Sequence, residues 1–148
     1  MYPNTIPIRL TLAELCAAAL ENFVDDLENA RDAGSFLVAL EVNHRLWLAL
    51  EGMVENGQLH VDRRAARDAV RLSASRGIPD LQVAALTVLE RAIAAELVPC
   101  TNLDAVRARI RMAYRESGCQ IELKEWLLDE IGRKRCLQAW AGEHPGAP

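Results

Sequence analysis

Asn43 and Trp47 lie one helical turn apart in the stretch Phe36-Leu37-Val38-Ala39-Leu40-Glu41-Val42-Asn43-His44-Arg45-Leu46-Trp47-Leu48-Ala49-Leu50. They set an amide and an indole N–H into an otherwise apolar seam. Positions 36, 40, 43, 47, 50 and 54 step by four and three, so Phe36, Leu40, Asn43, Trp47, Leu50 and Val54 share one helix face. An amide buried without a hydrogen bond costs roughly 1 to 3 kcal/mol. Asn43 therefore bonds a neighbouring backbone, fixes the register of a bundle, or meets a partner. Trp47 is equally at home in a core or at a binding hot spot.

Other residues capable of chemistry fall into no catalytic or metal-binding pattern. His44, His60 and His144 are isolated, and the chain has no H-E-x-x-H, nucleophile elbow, P-loop or dinucleotide fingerprint. Cys16, Cys100, Cys119 and Cys136 are far apart and form no C-x-x-C pair. Cys16 and Cys136, set in apolar helical patterns, are expected as small core residues. Asp25, Asp26 and Glu28 read as a solvated helix face. The sequence therefore points to no enzyme, metal or cofactor.

Two arginine groups stand out. Arg63, Arg67 and Arg71 repeat at i, i+4 and i+8, with Arg64 and Arg76 nearby, and Arg107, Arg109, Arg111 and Arg115 form the second group. If the two faces adjoin they can contact phosphates, which makes RNA an alternative partner. The first segment has no aromatic residue to stack bases and the second has only Tyr114, and Asp68 and Asp104 dilute the charge. An ordinary solvated face is the simpler account.

The elements that must hold these residues are helical throughout. The 148 residues carry a net charge of -4 and 51% hydrophobic residues, which fits one domain with a substantial core and gives no bulk attraction to nucleic acid or anionic membrane. The sequence contains no secretory leader and no apolar run of about 18 residues, so the cytoplasm is the expected location. Residues 1–10 read as an extended arm. Thr11-Leu12-Ala13-Glu14 is a capping box that opens a first helix, and the glycine of Asp32-Ala33-Gly34-Ser35 is expected to stop it. A second helix runs from Phe36 to Val54, ended by Asn56-Gly57. Asp62 caps an Ala-rich third helix.

Asp80 caps a fourth helix, Leu81 to Leu97. Its apolar composition marks it as the most buried, with Glu90, Arg91 and Glu96 on its small polar surface. Thr101-Asn102-Leu103-Asp104 opens a fifth helix, and a sixth spans Ile121 to Trp140. The predicted class is all-α: a single bundle of five to six helices, antiparallel neighbours joined by short loops, with residues 11–97 as the bundle, 98–140 a helical extension packed on it, and 141–148 a disordered tail. Trp126, Leu127 and Trp140 offer a seam for a homodimer.

The segment Ala39-Leu40-Glu41-Val42-Asn43-His44-Arg45-Leu46-Trp47 resembles the N-R-x-L-W motif of the FlaF family, flagellar biosynthesis proteins of alphaproteobacteria. Asn43, Leu46 and Trp47 match, while His44 occupies the family's basic position and Arg45 sits one place later. The capped first helix, the short Gly-containing turn, the Ala-rich third helix with Arg67, and Leu89-Glu90-Arg91-Ala92-Ile93-Ala94-Ala95-Glu96-Leu97 are similar to the rest of the pattern. Glu90 and Glu96 replace a family asparagine and glycine, and the resemblance spans about residues 11–97. It implies a small non-enzymatic helical protein that binds flagellin in the cytoplasm and assists its synthesis or secretion, alongside a FlbT-like regulator. Asn43, Arg45, Leu46, Trp47 and Leu50 are then the motif or partner-binding positions. A wide apolar second helix suits the helix-in-groove mode of holding a client.

Overall fold

A computed structural model describes residues 10–74, 79–98 and 100–143. The described residues form an all-α bundle of six helices: α1 (Leu12–Glu28), α2 (Ala33–Glu55), α3 (Arg63–Ala74), α4 (Pro79–Leu97), α5 (Cys100–Ser117) and α6 (Leu123–Glu143). No strand occurs among the described residues, and none of the described helices is long and apolar enough to cross a membrane. The expected arm and most of the expected tail lie outside the described residues; α6 itself continues to Glu143.

α1 is the hub. Its run Leu15-Cys16-Ala17-Ala18-Ala19-Leu20 is apolar on every side and buried throughout, the pattern of a helix surrounded by others. α2, α4, α5 and α6 all pack on it, and α3 closes against α2 and α4. Thr11 starts α1 as expected: its hydroxyl accepts from the Glu14 N–H at 3.1 Å and the Glu14 carboxylate accepts from the Thr11 N–H at 2.9 Å. The small side chains of residues 16–19 let neighbouring helices approach closely.

Three local expectations are corrected. Gly34 does not stop α1, which ends at Glu28 with Asn29 as its C-cap. Asp32 instead opens α2, accepting from the Ser35 N–H at 2.7 Å, so Gly34 lies inside the first turn of the second helix. A D-x-x-S box outcompetes the glycine because it satisfies free N–H groups that a glycine leaves bare. Among the described residues, the left-handed glycines are Gly57 and Gly118, with φ of +74° and +64°. Cys16 is buried, but Cys136 is exposed.

The third correction concerns α4, which is not the most buried helix. It turns Leu86 and Ile93 inward while Ala84, Ala85, Ala92 and Ala95 face solvent. Counting apolar residues overrates such a helix, because burial energy follows area and a methyl group offers little.

Residues 98–140 do more than extend a finished bundle. Val98, Val106, Ile110, Trp126, Leu127 and Ile131 belong to the same continuous core as α1 and α2. Trp126 packs edge-on against Tyr114, ring centres 5.5 Å apart. Trp126 and Leu127 are thus consumed in the protein's own interior and offer no homodimer seam; the Trp140 side chain lies outside the described residues.

Candidate functional site

The seam of α2 turns inward as its spacing requires, and Asn43, Leu46, Trp47 and Leu50 are all at most 1% exposed. Asn43 Nδ2 donates to the Ala39 carbonyl one turn earlier at 2.9 Å and to the Phe23 carbonyl of α1 at 3.3 Å. The amide therefore pins α2 to the hub. Its Oδ1 is buried without a hydrogen bond.

Trp47 finds an acceptor that the sequence reading placed on the surface. Its Nε1–H donates to Glu90 Oε1 at 2.8 Å, and Glu90 is fully buried. The second oxygen, Oε2, has no hydrogen-bond partner. Burial pushes the Glu90 carboxyl up to about 8; the indole bond and Arg91 pull the other way, and Glu21 adds to the rise. Arg91 does not neutralise it, because its guanidinium turns outward to Glu28 and Glu21 on α1. A protonated carboxylic acid inside the bundle follows from the high cost of an unpaired buried charge.

Periodicity carried a signal for Glu90: Leu86, Glu90, Ile93 and Leu97 step by four and three along one face of α4. An indole N–H buried on α2 also demanded an acceptor.

Phe36 marks where this seam reaches the surface. It walls a groove of about 440 Å³ together with Leu27 from the end of α1 and Val83, Ala84, Thr87 and Val88 of α4. The Thr87 hydroxyl is buried without a hydrogen bond. From Phe36 the seam continues inward through Leu40 to Asn43 and Trp47.

The remaining predicted positions are held at the surface. Arg45 makes a two-pronged pair with Glu125 of α6, at 2.7 and 2.9 Å, which holds the Glu125 carboxyl below its usual range. His44 Nδ1 lies 3.0 Å from the Ser73 hydroxyl. The same hydroxyl lies 3.0 Å from the Val70 carbonyl.

Arg63, Arg67 and Arg71 are exposed on α3 as expected, but Arg67 pairs with Glu55 and Arg71 with Asp68. α3 packs on α2 and α4, whereas α5 packs on α1, and Arg107 is engaged by Asp25 at 2.8 Å. The two arginine groups thus sit on helices held by different neighbours and are partly neutralised. Among the described residues no group of three His, Cys, Asp or Glu side chains is placed to hold a metal.

No protein-family model, curated protein or solved structure matches the chain.

Proposed function

We propose that this chain is a non-enzymatic, FlaF-like protein that binds flagellin in the cytoplasm and assists its synthesis or secretion, with a FlbT-like regulator as a further partner. The observation that carries the reading is the continuity between motif and groove. The seam bearing Asn43, Leu46 and Trp47 surfaces at Phe36, one wall of a groove between α1, α2 and α4 that Leu27, Val83 and Val88 line together with Glu28 and Thr87. Such a groove suits an amphipathic helix laid along the bundle, and flagellin ends are helical when ordered. Asn43 and Trp47 set the spacing of α1, α2 and α4, and so the width of the groove, without touching the client.

Calorimetric titration of the protein with the two terminal segments of flagellin tests this. Saturable binding with a micromolar dissociation constant is the expected result. Absence of binding at tens of micromolar excludes even a modest specific interface and removes the reading.

A further inference from the structure

Helices α1, α2, α3 and α4 form a ring in which each packs on the next and α4 closes on α1, so α2 and α4 face each other across its diagonal. The Trp47 side chain spans that diagonal. Its Nε1–H reaches Glu90 Oε1 at 2.8 Å, and both side chains are buried. One hydrogen bond thus joins opposite helices through the middle of the bundle.

The groups around Glu90 leave an ionised carboxylate uncompensated. From α2 it receives only the neutral indole; Glu41 is exposed, Arg45 is paired with Glu125, and His44 lies against Ser73. α3 turns Ala66, Ala69 and Ser73 inward and Arg63, Arg64, Arg67 and Arg71 to solvent, with Asp68 paired to Arg71. α1 brings Glu21, a charge of the same sign, while its Asp25 and Glu28 are held by Arg107 and Arg91. On α4 itself the Arg91 guanidinium is spent on α1, and Glu96 is exposed. Among the described residues Glu90 Oε2 has no hydrogen-bond partner. A charge buried there is far costlier than a neutral acid.

Asn43 Oδ1, one turn before Trp47, and the Thr87 hydroxyl, one turn before Glu90, are also buried without partners. Thr87 lines the groove as well, which brings solvent within one turn of Glu90. Water entering to solvate an ionised Glu90 therefore finds two more groups to hydrate. On its outer side α4 is moored to α1 by the pairs of Arg91 with Glu28 and Glu21.

We infer that the Glu90–Trp47 bond is a protonation-gated strut: with the carboxyl neutral it holds α4 against the centre of the bundle, and once the proton has passed to solvent α4 swings outward about its ion pairs to α1, admitting water and widening the groove. The strut operates whether or not flagellin is the client. A carboxyl raised to about 8 while buried, against 4.5 when hydrated, fixes the pH profile. Opening is rarest below pH 4.5, becomes about tenfold more frequent per pH unit between the two values, and levels off above 8.

Amide hydrogen exchange of the full-length protein, followed by NMR from pH 5.5 to 9 and expressed as protection against the intrinsic rate, tests the strut. Protection of the α4 amides and of the Trp47 indole N–H should fall about tenfold per unit up to about pH 8 and stay below that of α1, while far-UV circular dichroism keeps its helical signal. Glu90→Gln retains an acceptor for the indole and cannot ionise, so its α4 protection should change less than about threefold over the range. The side-chain carboxyl carbon of Glu90 in carbon-13-labelled wild type should titrate above pH 6.5, with the same midpoint as the loss of α4 protection.

Flat α4 protection in the wild type overturns the strut, as does a Glu90 carboxyl carbon that titrates near 4.5. An equal pH response in Glu90→Gln assigns the opening to another group, such as His44, and overturns it too. Protection that falls in α4 and α1 together at one common value makes Glu90 a determinant of global stability alone, with no local opening. If Glu90→Gln fails to fold, the two wild-type midpoints decide: coincidence supports the strut and separation overturns it.

Discussion

Glu90 links protonation to folding more directly than any other described group. Its carboxyl is pushed up to about 8 in the folded protein, against an ordinary value of 4.5. The folded state therefore holds a proton that the unfolded chain releases above about pH 4.5. The stability tied to this group is complete below that pH and is lost as pH rises towards 8, with a limiting slope of about 1.4 kcal/mol per unit. Urea unfolding at pH 5.5 and pH 8 should show the wild type weaker at the higher pH. Glu90→Gln keeps an acceptor for Trp47 and cannot ionise, so its midpoint should change much less; parallel pH curves for the two proteins would refute the assignment. Asn43→Ala removes the bonds to the Phe23 and Ala39 carbonyls and should cost about 1 to 3 kcal/mol. Thr87→Val, by contrast, replaces a buried hydroxyl that has no partner and should be neutral or mildly stabilising. The burial of Asn43 and Trp47 was legible in the spacing. The spacing of α4 carried the same signal for Glu90, but residue type overrode it, because a glutamate is almost always read as exposed unless its partner is known, and that partner lies 43 residues away on another helix.

At the scale of elements, the sequence spoke clearly where local chemistry decides and poorly where area decides. The Thr11 box and the Asn56-Gly57 turn are local signals, and both stand where their residue types placed them. The face that α4 presents depends on how much area each apolar residue offers, and composition alone missed it. Two glycines of α2 and its end separate these effects. Gly57 has φ +74° with open space around its Cα, so Gly57→Ala meets no clash but is strained by the backbone itself. It should destabilise by about 1 kcal/mol. Gly52 lies within α2, where the nearest atoms an added Cβ would meet belong to the guanidinium of Arg135, the closest at 2.7 Å. That end of a flexible side chain can swing aside. Gly52→Ala should therefore gain helix propensity, up to about 1 kcal/mol, and raise the thermal midpoint. If Gly52→Ala instead lowers it as much as Gly57→Ala, the Arg135 contact is a rigid part of the joint between α2 and α6.

Across the whole molecule, stability depends on α1 being covered on all sides. Sequence reading divided the chain near Val98 because Val98-Pro99-Cys100 interrupts the helical pattern, and a break in pattern marks an element boundary whether or not a core crosses it. The core does cross it. Val106 and Ile110 of α5 and Trp126, Leu127 and Ile131 of α6 are buried in the cluster that contains Leu15, Leu20 and Trp47, and Asp25–Arg107 and Arg45–Glu125 tie the later helices to α1 and α2. Each large apolar side chain so buried contributes roughly 1.5 to 3 kcal/mol, so these five together rival the 5 to 15 kcal/mol that separates a typical domain from its unfolded state. A chain ending at Val98 should therefore fail to fold as an independent bundle: it would bare the faces of α1 that α5 and α6 cover, lose cooperative thermal unfolding and aggregate. The full-length protein should unfold in one transition. A truncated chain that melts cooperatively near the full-length midpoint would instead restore residues 98–140 to an appended layer, and would leave α1 needing only α2, α3 and α4 to hold the groove in shape.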